Sequence, residues 1–177
     1  MKKWLQRIWK EEKGLTLIEL LAVIVILGII AAIAVPAITG ITSNTKKEAH
    51  KANARQMIEA AKQIVAISGF NPDTPNVSVY PVNNDGTLGT AVVEGDDSGN
   101  NKEVMEITLN ELESAGYFTG IKDPESNNNY SGSSSAVYVY KKNSSDKAYT
   151  YAVKLEGNSN TYIKTIEEKD IDKYKVQ

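Results

Sequence analysis

A single carboxylate interrupts the most apolar stretch of the chain. Residues 13–38 read KGLTLIELLAVIVILGIIAAIAVPAI, in which Glu19 is the only acidic side chain, and no charged residue follows it up to Ile38. An unpaired carboxylate drawn into hydrocarbon costs roughly 2.5 to 3.5 kcal/mol on insertion scales. We therefore expect Glu19 either to pair with a positive group or to lie at the lipid headgroups, where this cost falls.

A second group of acidic side chains lies in a turn-rich segment, residues 94–101. Carboxylate and amide oxygens are the ligands that calcium prefers. The spacing does not fit an EF-hand, because Gly99 falls in the wrong place. We expect a solvated acidic loop, with calcium binding as the alternative. The calcium candidates are Glu94, Asp96 and Asp97.

The rest of the composition does not favour catalysis. The chain has no cysteine and one histidine, His50, set among polar residues of a predicted helix. A thiolate or histidine metal site and a nucleophilic triad therefore lack the residues that they need. We predict a protein that is not an enzyme, with no cofactor and no small-molecule substrate. The alternating Tyr138, Tyr140, Tyr149 and Tyr151 are typical of sheet packing, with an adhesive or base-stacking surface as the alternative.

The apolar run is long enough to cross a membrane. Residues 20–38 alone approach the ~20 residues that a spanning helix needs. The leader before it, residues 1–14, carries five basic and two acidic side chains, which favours a cytoplasmic N-terminus with the rest of the chain outside. Two alternatives stay open: an uncleaved anchor, and an ordinary signal peptide cut after Ala32-Ile33-Ala34, leaving Val35 first.

These residues resemble a known signal. Gly14 followed by Leu15-Thr16-Leu17-Ile18-Glu19 and a long apolar run resembles the class III signal of type IV prepilins and of the related pseudopilins. The resemblance implies cleavage between Gly14 and Leu15, with N-methylation of Leu15. It makes Glu19 the assembly residue, paired with the Leu15 amine of a neighbouring subunit. Gly28 and Pro36 fall where the family often weakens its first helix. One departure is Leu15, where the family usually has phenylalanine.

The resemblance also implies a function and a set of partners. The chain would be a structural pilus subunit, polymerised from the membrane for adhesion, motility or DNA uptake. Its partners would be copies of itself, minor pilins, the prepilin peptidase and methyltransferase, the assembly platform with its ATPase, and membrane lipid before assembly. A pseudopilin of a type II secretion or competence system is the alternative, and a non-polymerising anchored binding domain is a third hypothesis. After loss of the leader the chain is net acidic, so no dedicated DNA surface is indicated.

The apolar run continues into a predicted amphipathic helix that ends at Ser68-Gly69. Steps of three and four residues predict one buried face. Glycine just past a helix end accepts the left-handed conformation and stops the helix. The helix is expected to run from about Leu15 to Ser68. The predicted buried face consists of Ala49, Ala52, Met57, Ala60, Ala61, Ile64 and Ile67.

The remainder predicts a sheet. Thr108 and Glu111 form a capping box for a short helix, 109–115. Strands are expected at 77–80, 90–93, 136–141, 149–155 and 161–166, with one apolar face of a small antiparallel sheet covered by the long helix. Residues 167–177 are expected to be a loose charged tail.

Four segments and a fold class follow. The segments are the cleaved cytoplasmic leader 1–14, the transmembrane or filament-core helix 15–38, the amphipathic half 39–68 and the extracytoplasmic sheet head 69–177. The predicted class is α+β, with a long N-terminal helix packed on a small C-terminal antiparallel sheet, which the resemblance describes as type IV pilin-like.

Overall fold

A computed structural model describes residues 16–72, 77–94, 103–117, 119–143 and 145–176. The chain divides into two units, Met1–Ser43 and Asn44–Gln177. The long helix α1, Leu17–Ser68, contributes to both. Among its described residues, the second unit also holds six strands, the short helix α2 (Leu109–Ser114) and a 3-10 turn, Glu168–Asp170.

Helix α1 ends where the sequence predicts. Gly69 takes the left-handed conformation at φ 80°, and its N–H donates to the Val65 carbonyl oxygen at 3.0 Å. A side chain at this φ would be strained, so glycine is the residue that closes the helix without cost. The predicted stop at Ser68-Gly69 is confirmed.

The buried face of α1 is rotated from the predicted one. Met57, Ala60 and Ala61 are buried as expected, but Ala52 is exposed and Ile67 is 69% exposed. His50, expected among the polar residues, is fully buried. The prediction was only partly right: Ile64 is partly buried against the core, but counting only apolar residues omitted the buried His50 and Lys51. The buried residues of α1 are His50, Lys51, Ala54, Met57, Ile58, Ala60, Ala61 and Val65.

A four-stranded antiparallel sheet packs on this face. Its strands are β3 (Val104–Thr108), β4 (Ala136–Tyr140), β5 (Thr150–Glu156) and β6 (Thr161–Glu167), in the order β3-β4-β5-β6. Helix α2, Leu109–Ser114, follows β3 directly and begins with the predicted capping box. Strand β3 was not predicted. The expected α+β class, a long N-terminal helix on a small antiparallel sheet in a pilin-like arrangement, is confirmed.

The sheet buries both faces rather than one. On one face Val137, Val139, Val153 and Leu155 join the helix residues in the main core. On the other, β1 (Val77–Val79), which pairs with β2 (Val92–Glu94) in a two-stranded ribbon, contributes to a second apolar cluster. The expectation of a single apolar face was wrong, because tyrosine rings carry enough apolar surface to form a second core. That cluster contains Val77, Val79, Val104, Ala136, Tyr138, Tyr140 and Ala152.

The C-terminal segment is part of the core. Ile171, Tyr174 and Val176 are buried, and the Lys175 N–H donates to the Gly86 carbonyl oxygen at 3.0 Å. The expected loose tail was wrong, because three well-spaced apolar side chains are enough to anchor a segment that is otherwise charged.

Candidate assembly site

The first turn of α1 is held by a capping box. Thr16 precedes the helix, and both its backbone N–H and its hydroxyl donate to Glu19 Oε2 at 2.7 Å. The Glu19 N–H donates back to Thr16 Oγ1 at 3.3 Å. These reciprocal bonds satisfy two backbone donors that the helix itself leaves unpaired.

The box fixes the position of the Glu19 carboxylate. Glu19 Oε2 accepts two of the three bonds and Thr16 Oγ1 accepts the third. Together they hold the Glu19 side chain back over the helix start. The N-terminal end of a helix carries a partial positive charge that favours a carboxylate there. The arrangement therefore presents an ionised oxygen pair at the helix start, of the kind that an ammonium group could approach.

Beyond the box, the helix surface is apolar and uncovered. Within the first unit, the large apolar side chains of α1 are at least half exposed, and this helix is the one described helix that is long and apolar enough to cross a membrane. Soluble monomers rarely expose apolar patches above a few hundred Å². Lipid or other apolar protein surface is therefore expected around it. The exposed residues include Leu17, Ile18, Leu20, Leu21, Val23, Ile24, Val25, Ile26, Leu27, Ile29, Ile30, Ile33, Val35, Ile38 and Ile41.

The two proposed helix-weakening residues lie inside continuous helix. Gly28 has open space where a Cβ would stand, so no close packing demands a glycine there. Pro36 has no N–H to donate to the preceding turn. The Thr39 hydroxyl donates to the Pro36 carbonyl oxygen at 2.9 Å, so a side chain bonds to the helix backbone at the proline. Weakening at Gly28 and Pro36 stays a prediction.

Several predicted site residues lie outside the described part of the chain. Gly14 and Leu15, at the expected cut, precede residue 16, and the calcium candidates Asp96 and Asp97 fall between residues 94 and 103. Glu94 is paired with Val77 in the β1–β2 ribbon. Among the residues described, no group of three or more His, Cys, Asp or Glu side chains could hold a metal ion.

The tyrosines serve packing, as expected. Tyr138 and Tyr140 are buried in the second cluster. Tyr149 stacks on Phe70 with ring centroids 4.9 Å apart, and the Lys62 ammonium lies 5.6 Å from the Tyr151 ring centroid. Rings engaged in this way do not form an open stacking ladder for bases.

Sequence reasoning missed a buried polar cluster around His50. The His50 Nδ1 lies 2.7 Å from Tyr130 Oη, and its ring stacks on Tyr162 at 4.0 Å between centroids. Tyr162 Oη donates to Asp123 Oδ2 at 2.8 Å. These partners lie 73, 80 and 112 residues from His50 along the chain, so only the tertiary fold brings them together. The one available signal was that His50 falls on the same face of α1 as buried apolar residues.

The pKa values of the groups in this cluster are shifted by burial and by their neighbours. Burial lowers the pKa of His50, although the nearby Asp123 and Glu125 carboxylates raise it. Burial raises the pKa of Asp123, but hydrogen bonds from Ser126, the Glu125 N–H and Tyr162 outweigh burial and lower it. Burial, with the Asp123 bond, raises the pKa of Tyr162 to about 12. At neutral pH the cluster therefore holds a neutral imidazole beside an ionised carboxylate.

The N-terminal segment matches a known family. Residues 9–35 match the family model of the prokaryotic N-terminal methylation motif. The N-terminal segment thus carries the signature that type IV pilins and pseudopilins share, which confirms the recognition made from residues 13–38. Comparisons with curated proteins and with solved structures gave no match.

Proposed function

We propose that this protein is the structural subunit of a type IV pilus. In this account the prepilin is cut between Gly14 and Leu15, N-methylated on Leu15, and polymerised from the membrane into a helical filament for adhesion, motility or DNA uptake. The observation that carries the proposal is the methylation-motif match over residues 9–35, followed by an apolar helix surface that nothing in the described chain covers.

The apolar surface supports assembly in two stages. Lipid covers residues 17–41 of the helix before assembly, and the helices of neighbouring subunits cover it in the filament core. Each copy contacts the next through different surfaces, and contacts of this heterologous kind extend without closing. One stretch of sequence thus serves as membrane anchor and then as filament core.

The capping box supports a divided role for Glu19. Oε2 is held by Thr16 of the same chain. We assign Oε1 to the positive N-terminal amine of Leu15 on a neighbouring subunit, which offsets the cost of placing both charges in an apolar core. The role of Thr16 is to hold the carboxylate so that this second oxygen faces outward.

The segments, location and partners of the protein follow from this role. Residues 1–14 form the cytoplasmic leader, 15–38 the membrane or filament-core helix, 39–68 its amphipathic continuation and 69–177 the extracytoplasmic head. The protein is then single-pass in the cell membrane and later part of a surface pilus. Its partners are further copies, minor pilins, the peptidase and methyltransferase, and the assembly platform with its ATPase.

A pseudopilin of a type II secretion or competence system is the alternative, because it shares the N-terminal motif. Calcium in the head would favour it. Its candidates are Glu94, Asp96 and Asp97, and titrating the full chain with calcium while following thermal unfolding tests them. A rise in the unfolding midpoint that Asp96→Asn with Asp97→Asn removes would support the pseudopilin, and an unchanged midpoint would leave the pilus account standing.

The experiment for the main proposal is intact mass and N-terminal sequencing of protein from its native cells, with sheared surface material compared with membranes. We expect a chain that begins at N-methylated Leu15 in the sheared filaments. A chain beginning at Met1, or at Val35 after ordinary signal cleavage, would contradict the proposal and leave an anchored or secreted binding domain.

A further inference from the structure

The buried cluster around His50 links the long helix to one loop of the head. His50 and Asn53 lie on α1, and Asp123 and Tyr130 lie in the segment 119–131 between α2 and β4, which we name the docking loop. His50 is 0% exposed and Asp123 is 1% exposed. The cluster is therefore shielded from water, and both this desolvation and the hydrogen bonds inside it set its protonation state.

The hydrogen bonds assign the tautomer of His50. Asn53 Nδ2 donates to Tyr130 Oη at 3.1 Å and to the Lys122 carbonyl oxygen at 3.5 Å, which fixes the orientation of the amide. Tyr130 Oη is thus an acceptor from Asn53, and we assign its own O–H as the donor to His50 Nδ1, 2.7 Å away, because a bare Nε2 would face the Asp123 carboxylate. The imidazole proton then lies on Nε2, which faces Asp123 Oδ1 at 3.9 Å.

Protonation of His50 would reverse the direction of the hydrogen bond between Tyr130 and Nδ1. The added proton goes to Nδ1, so two hydrogens would meet between His50 and Tyr130 and the Tyr130 hydroxyl must turn away. Asp123 lies on the Nε2 side of the ring, with Oδ1 3.9 Å from that nitrogen, so it cannot replace the bond at Nδ1. Its Oδ1 already accepts from the Glu125 N–H at 2.8 Å, and its Oδ2 accepts from Ser126 Oγ at 2.6 Å.

We propose that His50 is an acid-sensitive switch, in which protonation of the buried imidazole releases the docking loop from helix α1 while the four-stranded sheet stays folded. The loop is held to the helix by the bonds of Asn53 and His50 to Lys122 and Tyr130, and by Lys46, whose ammonium lies 3.7 Å from Glu125 Oε2. The sheet has its own backbone pairing and does not depend on these bonds.

All groups that face the imidazole enter its titration. Lys46 on the same helix opposes the positive charge, whereas Asp123 and Glu125 from the docking loop favour it. Tyr130 from that loop and Tyr162 from β6 are neutral at the relevant pH, since burial raises the pKa of both. Desolvation is the largest influence, and the pKa of His50 lies below its ordinary value near 6.5.

The direction of the pH effect follows from this lowered pKa. Above about pH 6.5 His50 is neutral in both the folded and the unfolded chain, so its contribution to stability is fully present. As the pH falls below that value, the unfolded chain binds the proton first, and the contribution is lost down to the folded pKa. Acidification therefore destabilises the docked state.

Because His50 is the only histidine, nitrogen NMR of histidine-labelled full chain in detergent micelles reports it alone. We expect Nε2 to carry the proton at pH 7.5, with a titration midpoint below 6.5. Hydrogen exchange, corrected for the intrinsic pH effect, should show the docking loop losing protection at least about tenfold relative to β4 and β5 on acidification. A midpoint at or above 6.5, a proton on Nδ1, or equal loss of protection throughout the head would overturn the proposal.

Two variants separate the switch from general acid sensitivity. Tyr130→Phe removes the donor to Nδ1, so the midpoint of His50 should move up, because protonation no longer costs that bond. Tyr162→Phe removes a hydroxyl from the same cluster but not the bond to His50, so it should move the midpoint less. Equal shifts of the His50 midpoint in the two variants would contradict the proposal that the Tyr130 bond to Nδ1 opposes protonation. The wild-type titration tests the proposal even if a variant fails to fold.

Discussion

The same five-residue pattern occurs twice in this chain with opposite surroundings. Thr16-Leu17-Ile18-Glu19-Leu20 begins α1, and Thr108-Leu109-Asn110-Glu111-Leu112 begins α2. Both form the same capping box, with two bonds of 2.7 Å and one of 3.3 Å. The backbone physics of the two helix starts is therefore the same.

What differs is the cover over the leucines. Leu17 and Leu20 are 84% and 56% exposed, whereas Leu109 and Leu112 are 2% and 0% exposed. The leucines of the second box are covered by the protein's own core. Those of the first box leave apolar surface for a partner outside the chain. A matched pair of this kind separates the local role of a capping glutamate from an intermolecular one.

The largest expected difference is between Glu19→Ala and Glu111→Ala. Glu19→Ala leaves the neighbouring amine unpaired in an apolar core, so filaments recovered by shearing should fall by more than about tenfold. The head should remain folded. Once the leader with Trp4 and Trp9 has been cut, the nine tyrosines, all beyond residue 69, give a near-ultraviolet circular dichroism signal that reports the head. Glu111→Ala should leave filaments at the wild-type level. Equal filament loss in both variants would contradict an intermolecular role for Glu19.

The second difference concerns the leucines that close each pattern. Leu112→Ala removes fully buried apolar atoms and should lower the free energy of unfolding by about 2–5 kcal/mol. Leu20→Ala should leave the unfolding midpoint of the head unchanged, since its side chain contributes nothing to that core. Thermal unfolding of the full chain in detergent micelles measures both. A lowered midpoint for Leu20→Ala would place this leucine in the folding core of the head.

The smallest difference concerns the capping threonines. Thr108→Ala should cost about 1 kcal/mol of stability, which corresponds to a midpoint about 3 °C lower. Thr16→Ala should instead reduce filament yield by a smaller factor than Glu19→Ala, because the carboxylate stays but is held less well. Thr→Ser at either position keeps the hydroxyl and should restore wild-type behaviour. No effect of Thr16→Ala on filaments would mean that the box does not position Glu19 for assembly.

Local sequence rules predicted the local structure well. Gly69 closing α1 and the capping box at Thr108 follow from chemistry within a few residues, and the strands β4, β5 and β6 agree with the predicted limits to within one residue. The box at Thr16 obeys the same rule. It was missed because Glu19 was interpreted as an intermolecular partner or as an acid at the lipid headgroups, and not as a helix cap.

Tertiary features were harder to predict. His50 is polar, so its place on the buried face depends on Asp123 and Tyr130, which are distant in sequence. Ile171, Tyr174 and Val176 are separated by charged residues, and their burial depends on the loop around Gly86. The candidate assembly site was reached from its motif, but its proposed partner is on another chain, and no single sequence can place that contact.

Replacing each capping glutamate by glutamine tests the central claim most directly. Glutamine at this position still supports a capping box but carries no charge. We expect Glu19→Gln to lose sheared filaments as Glu19→Ala does, while Glu111→Gln assembles at the wild-type level with nearly unchanged head stability. If Glu19→Gln instead assembles as the wild type does, capping alone explains Glu19, and the proposed pairing of its carboxylate with a neighbouring amine is wrong.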